Sequence, residues 1–461
     1  MKKLLVVLTL LLISNIYAQD IFKLNQRLGR GVNFGNALEA PSEGAWGMVL
    51  EASFFDVVKE AGFDTIRLPV SWTSHTDKES PYTVDADFMA RVQWAVDEAI
   101  AHNLNIIVNV HHYDELNADP VNEEARYLSI WQQIAEHFKN YPDSVYFELL
   151  NEPHDAFNND ATLWNQLLVK ALNIVRESNP TRAVIIGPVS WNSIGSLDKL
   201  QLPDDPNIIA TVHFYDPFTF THQGAEWVNP SPPLGILWTG GNRSFSPVWQ
   251  NWSWDTEVNF VKNGLDEFLQ IDYLKGWAGF YLHTVKTSKG YTTLAFTTDK
   301  AIDLQISCNT EKENEVAQIT SNAGTETLLE LSQCGSPEKL KDLIIQNASD
   351  SPQTFLLENL EIRGPKGSTS PFEDERTQIS TQFDETVTWA QKHNRPIFLG
   401  EFGAYSKADR DSRVRWTNFV RSELEKRGFS WAYWEFGAGF GVYNRDNKIW
   451  RDELLEALIQ K

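Results

Sequence analysis

Eight short apolar runs, most of them separated by amphipathic stretches, constrain this chain more than any other feature. Six of them ("GVNFG", "FDTIRLP", "LNIIVNVHH", "VYFELLNEP", "AVIIGP" and "NIIATVHFY") fall between residue 31 and about residue 215. Helix-like segments such as "VLEASFFDVVKEAG" and "VDADFMARVQWAVDEAIAHNL" separate most of them. The rhythm resumes after residue 371, where a helical stretch near 376–393 precedes "RPIFLGEFG" and "DSRVRWTNFVRSELEKRG" precedes "FSWAYWEFG". Eight strand–helix units predict an α/β fold, a parallel (β/α)₈ TIM barrel. A doubly wound open sheet is the alternative, and polar residues at nearly every strand end fit the barrel better.

Residues 242–370 break the rhythm with a period of two, in "YTTLAFTT", "AIDLQISC" and "TFLLENLEI". This predicts an antiparallel β-sandwich inserted between barrel strands six and seven. The barrel then comprises 19–241 and 371–461. Loops at the C-terminal ends of barrel strands accept insertions because their ends are close together at the surface. Trp277, Phe280, Tyr281 and Tyr291 in the insertion suit either a carbohydrate-binding face or the core of a small sandwich.

"MKKLLVVLTLLLISNIYAQD" has the lysines, apolar run and small residues of a secretory leader cut after Ala18, so a secreted protein is expected. The run is too short for a membrane anchor, and no later stretch would span a bilayer. Formal charge is −22, and loss of Lys2 and Lys3 with the leader takes it to −24. Such a chain repels phosphate backbones, so nucleic acid is not an expected partner. Cys308 and Cys334 are the two cysteines; in an oxidising compartment they form a disulfide, the alternative being two free buried thiols. No Cys/His spacing suggests a zinc site.

Barrel enzymes assemble their chemistry where the strands end. The polar residues there are Asn33, Asn36, Glu39, Arg67, His111, His112, Asn151, Glu152, His213, Tyr215, Glu401, Trp434 and Glu435. Glu152 and Glu401 each end an apolar run, on strands expected to face each other across the mouth. Two carboxylates about 5–5.5 Å apart can cleave a glycosidic bond with retention. Their proximity should hold one ionised and the other protonated. Arg67 and Tyr215 are placed to keep Glu401 charged and oriented, and His213 to tune Glu152. Of the adjoining His111 and His112, alternation along a strand sends one toward the cleft and the other inward. A metal site through these histidines lacks a third ligand at suitable spacing. Trp434 suits a sugar platform, since indole is flat and a pyranose has apolar C–H faces. Trp46 and Trp191 suit either cleft wall or core, and Glu435 is expected to face away from the cleft.

"RGVNFGNALEAPSEGAWG", "NVHHYDEL", "ELLNEPH", "HFYDPFTFTHQGAEWV", "LGEFGAY" and "WAYWEFGAGFGVY" occur in this order. Together they resemble glycoside hydrolase family 5, most closely its bacterial subfamily 25, which cleaves β-1,4-glucans and often β-1,4-mannans. The resemblance covers about residues 22–240 and 371–461. It implies that Glu152 is the acid/base and Glu401 the nucleophile. It also implies that Asn36, Glu39, His111, His112, Asn151, His213, Tyr215, Trp227, Trp434 and Phe440 contact sugar. The insertion departs from the family pattern. The resulting expectation is a monomeric, retaining endo-β-1,4-glycanase acting on a β-linked polysaccharide without cofactor or metal. An endo-β-1,4-mannanase is the close alternative, and a non-hydrolytic glycan-binding barrel a more distant one. No G-x-S-x-G or other Ser–His–acid signal supports an esterase or peptidase.

Overall fold

The computed structural model describes residues 20–459 except 247, 264–265, 309–314, 336–338 and 366, so the expected leader, residues 1–18, lies outside it. Eight strands close into a ring: β1 (Arg30–Asn33), β2 (Thr65–Leu68), β3 (Asn105–Asn109), β4 (Val145–Glu148), β5 (Val184–Ile186), β6 (Ile208–Phe214), β7 (Ile397–Phe402) and β8 (Ser430–Tyr433). Neighbours pair in parallel all the way round, and β8 closes on β1. Every residue of β2–β8 is buried. That burial on both faces is why these strands read as unbroken apolar runs rather than alternating ones.

Helices follow the strands, among them α2 (Ala52–Ala61), α3 (Ala86–Ala101), α4 (Pro120–His137), α5 (Ala161–Ser178), α6 (Glu375–His393), α7 (Arg410–Lys426) and α8 (Asp452–Leu458). Ahead of β1, α1 (Ile21–Leu28) starts at Asp20, whose side chain accepts the N–H groups of Phe22 and Lys23. Its buried Ile21, Leu24 and Leu28 join Ile107, Tyr146, Ile185, Ile209 and Phe398 in one apolar cluster. This helix therefore shares one apolar cluster with residues of at least five barrel strands.

Between β6 and β7 lies a second compact unit, Thr239–Ser380. One of its sheets orders Thr327–Glu330, Thr293–Thr298, Gln353–Gly364, Asp266–Tyr273 and Thr256–Asn263, with Gly367–Thr369 pairing off Gln353–Gly364. The other orders Ala317–Ser321, Ile302–Ser307, Lys339–Asn347, Gly279–Lys289 and Trp249–Asn251. Both sheets supply one apolar core, which includes Phe280, Phe296, Ile306, Leu343 and Leu360. Cys308 and Cys334 are disulfide-bonded in this core. The unit begins a few residues before, and ends ten residues after, the expected limits of 242 and 370. Arg243–Phe245 pairs with Phe372–Asp374, and Glu375 accepts from Gly240 N and Asn242 Nδ2. These bonds tie the residues flanking the two sheets to each other.

Candidate active site

A single buried guanidinium organises the barrel mouth. Arg67, near the end of β2, is fully buried and donates five bonds. Nε and Nη2 fork onto Glu148 at 2.7 Å each, Nη1 reaches Glu401 Oε1 at 2.6 Å and Asn33 Oδ1 at 2.9 Å, and Nη2 also reaches Asn151 Oδ1 at 2.7 Å. A rigid planar fork is the side chain best able to bridge two carboxylates and two amides at once. Asn33 is oriented in turn by donating to the carbonyls of Gly400, Ala432 and Tyr433.

Glu401 lies inside β7, at a register shift against β6, and its side chain is only 6% exposed. Its second oxygen accepts from Tyr215 Oη at 2.9 Å. Both carboxylate oxygens are thus held by donors. The shift follows Gly400, where a Cβ would lie 2.9 Å from His213 Nε2. Glycine there lets the histidine ring lie against the strand.

Glu152 is four residues beyond β4 rather than at its last position. Its φ is +48°, a left-handed conformation that a glutamate rarely adopts. Its neighbours fix that turn: Asn151 N donates to Val110 O, and His154 N donates to Asn117 Oδ1. Such conformations cost about 1–3 kcal/mol and persist where surrounding contacts hold them. β4 and β7 are three places apart around the ring, with β5 and β6 between them, rather than opposite each other. His213, from the intervening β6, joins the two acids: Nδ1 is 2.7 Å from Glu152 Oε1 and 3.6 Å from Glu401 Oε2. Oxygens of the two carboxylates and a ring nitrogen of His213 all lie within 4.8 Å of one another.

Burial pushes Glu152 up to about 7, against the opposing pull of Arg67 and His154. Burial also raises Glu401, opposed by His213 and Arg67. Burial lowers His213 to about 4, so its ring is neutral near pH 7. Asn192 Nδ2 lies 3.3 Å from His213 Nε2 and can only donate, so the ring proton sits on Nδ1 and points at Glu152. The cluster has the donor types of a metal site. Arg67 and Tyr215 already occupy Glu401, however, and the Nδ1 proton of His213 occupies its place toward Glu152. A cation would have to displace these bonds and sit beside a guanidinium.

Asn36, His111, His112, Asn151, Glu152, Tyr215, Trp227, Glu401, Trp434 and Phe440 line one cavity of about 610 Å³, together with Trp46, His222 and Tyr405. A second cavity of about 550 Å³ shares Glu152, Tyr215, His222 and Trp227 with it and adds His213, Trp191 and Phe218. Alternation does not separate the two histidines. β3 ends at Asn109, and His112 has φ +50°, so both rings line the same cavity, 4.5 Å apart. Asn109 Oδ1 accepts from Val70 N, which turns its Nδ2 toward His111 Nδ1 and leaves the His111 proton on Nε2. The His111 ring stacks parallel to Trp434 at 5.9 Å.

Glu39 does not line this cavity: it is 2% exposed and accepts from Asn36 N and Ala37 N. Buried Glu435 likewise accepts from Gly437 N, Ala438 N and Phe440 N. These two acids hold the loops that carry Asn36 and Phe440. Sequence reasoning missed Glu148, Asn192, His154 and Tyr405. Glu148 was hidden in the apolar run "FELLNE", where a charged residue between hydrophobic neighbours was the available signal. His154 stacks on Trp191 at 5.2 Å, and nothing in its local sequence points to that contact.

The sequence model of the family Cellulase (glycosyl hydrolase family 5) matches residues 29–268 and 361–439, leaving out most of the two-sheet unit. Endoglucanase H of Acetivibrio thermocellus is 27% identical over 452 residues, covering 96% of this chain and 34% of that protein. Endoglucanase C of the same organism is 31% identical over 37% of this chain and 52% of that protein. The chain thus spans about a third of the first of these curated relatives and about half of the second. Among solved structures, an endoglucanase is 34% identical, with TM-score 0.66, over 96% of this chain and 100% of that one. Cel5A of Thermotoga maritima in complex with cellobiose is 32% identical, with TM-score 0.65, over 95% of this chain and 100% of that one. The chain belongs to glycosyl hydrolase family 5, the cellulase family.

Proposed function

We propose that the protein is an exported, retaining endo-β-1,4-glycanase whose main substrate is β-1,4-glucan. The observation that carries this reading is the approach of Glu152 and Glu401 oxygens to within 4.8 Å. So close an approach fits the carboxyl separation of about 5–5.5 Å used in double displacement better than the about 6.5–9.5 Å of an inverting pair.

Glu401 attacks the anomeric carbon while Glu152 protonates the departing glycosidic oxygen. The C–O bond breaks and a glycosyl–Glu401 ester forms. Glu152, now a carboxylate, takes a proton from water, and the resulting hydroxide displaces Glu401. Arg67 and Tyr215 hold both oxygens of Glu401 and favour its ionised form, so the proton the pair shares resides on Glu152. His213 Nδ1–H donates to Glu152 Oε1, which leaves Oε2 to carry the proton for the leaving group.

Two cavities meeting at Glu152 support cleavage within a chain, since sugars can lie on both sides of the acid. Trp46, Trp434 and Trp191 supply flat apolar surfaces along that path. The endoglucanase names of the relatives favour glucan. A Thermotoga maritima Cel5A structure with mannotriose, 32% identical, favours mannan as an additional substrate. The subfamily 25 reading rests on the six motifs, and export rests on the leader-like first 18 residues.

The test is a reducing-sugar time course on carboxymethylcellulose, glucomannan and lichenan, with proton NMR of the first anomer released. Hydrolysis with a β-anomer first is expected. An α-anomer first, or no hydrolysis of any of the three, contradicts the reading.

A further inference from the structure

We infer that the two-sheet unit carries a second glycan-binding surface, formed by Trp252, Trp254 and Trp277 beside a glutamine ladder, that takes an uncharged β-linked polysaccharide chain. The choice of ligand class rests on the proposed function; the surface itself does not. The three indoles are 50%, 37% and 46% exposed, although the same unit buries Trp249, Phe280 and Phe296 in its core. Grouped large apolar side chains at a surface mark an interaction site rather than packing.

Each indole is fixed without a ligand. Trp252 stacks on His283 at 4.0 Å and 4°, and its Nε1 donates to Gln250. Trp254 lies across Gly279, where a Cβ would be 2.3 Å from its ring, and its Nε1 donates to Trp277 O. Trp277 Nε1 donates to Asp350 Oδ1 at 2.9 Å. Rings ordered in advance lose little entropy when a sugar stacks on them.

The polar complement is equally regular. Cross-strand register aligns Gln318, Gln305, Gln346, Gly279 and Trp254 in one row across the sheet. Gln318 donates to Gln305 at 2.6 Å, Gln305 to Gln346 at 3.1 Å, and Gln346 to Trp277 O at 2.7 Å. Each amide has further donor and acceptor capacity for hydroxyls. The row is uncharged, and nearby Asp342 accepts from Tyr281 and contacts His283. Flat apolar faces beside neutral amides complement a pyranose chain, with apolar C–H faces and a rim of hydroxyls, better than any charged partner.

The experiment uses the full chain with Glu401→Gln, so that polymer is not consumed. A second protein adds Trp252→Ala, Trp254→Ala and Trp277→Ala. Retardation is measured in native gels containing hydroxyethylcellulose, mixed-linkage β-glucan or glucomannan. At least about tenfold weaker binding of the second protein to one of these is expected, as each stacked ring contributes severalfold. Equal retardation of both folded proteins on all three polymers, or none of either, overturns the inference; the latter is the result of a protein-docking face. If the triple variant does not fold, Trp252→Ala and Trp277→Ala alone should each weaken binding severalfold, and no change in either overturns it. Cellotetraose hydrolysis with Glu401 intact is read separately. Its absence alongside tryptophan-dependent retardation ends the proposed function and leaves this surface standing.

Discussion

The barrel mouth and the two-sheet unit hold the same contact, a carboxylate touched by a tyrosine and a histidine. Tyr215 donates to Glu401 while His213 donates to Glu152 and lies 3.6 Å from Glu401; in the other unit Tyr281 and His283 both contact Asp342, at 2.6 and 2.8 Å. Asp342 is 6% exposed, as secluded as Glu401 at 5%. The difference is the company. At the mouth a second carboxylate lies within 4.8 Å and a buried guanidinium holds the first. Beside Asp342, the His283 ring that contacts it stacks on Trp252. A buried acid held by donors is therefore not by itself a mark of catalysis; what sets the mouth apart is the second carboxylate.

The sharpest way to break this contrast is to neutralise each acid. Glu401→Ala should lower kcat by about 10⁴-fold or more, and Glu152→Ala by about 10²–10⁴-fold. Asp342→Asn should leave cellotetraose turnover within about twofold. A large loss of turnover in the Asp342 variant would erase the distinction.

Arg67→Met tests what holds the mouth together. It strands Glu148 and Glu401 without their cation, and about 3–5 kcal/mol of stability should be lost, read by thermal unfolding. A variant as stable as the parent would mean the fork contributes no net stability. In the other unit, Cys308→Ser with Cys334→Ser opens a loop with a sequence separation of 26. About 3 kcal/mol should be lost there by a chain-entropy argument, with cellotetraose turnover unchanged. Loss of turnover in step with the disulfide would show that the barrel depends on that loop.

The smallest effect is in pH. Glu152 must carry a proton to act as acid, and burial raises it to about 7. Turnover should fall as pH rises through that value, approaching about tenfold per unit above it, and should fall again in acid as Glu401, itself raised by burial, takes up a proton; a basic limb near the ordinary carboxylate range near 4 would contradict the assignment.

Much of the mouth was legible because barrel chemistry collects at strand ends. Glu152, Glu401, Arg67, His213 and Tyr215 follow or end apolar runs, and these five meet. What stayed hidden depends on backbone conformation rather than residue type. His111 and His112 lie past the end of β3, and a left-handed turn cancels the alternation that would have separated them. Glu148 looked like part of a core strand, and Asn192 follows two left-handed residues in a loop after β5. In the two-sheet unit, alternation indicated two faces without saying which is wet. Phe280 is in the core and Trp277 at the surface, while Trp252 and Trp254 went unnoticed because they follow a three-residue strand.

The most direct measurement is covalent labelling of the nucleophile. Incubation with a 2-deoxy-2-fluoro-cellobiosyl fluoride slows release of the glycosyl–enzyme, and peptide mass mapping then locates the ester. A single adduct on the peptide holding "LGEFG", at Glu401, is the expected result. An adduct on Glu152 or on any other residue would contradict the account.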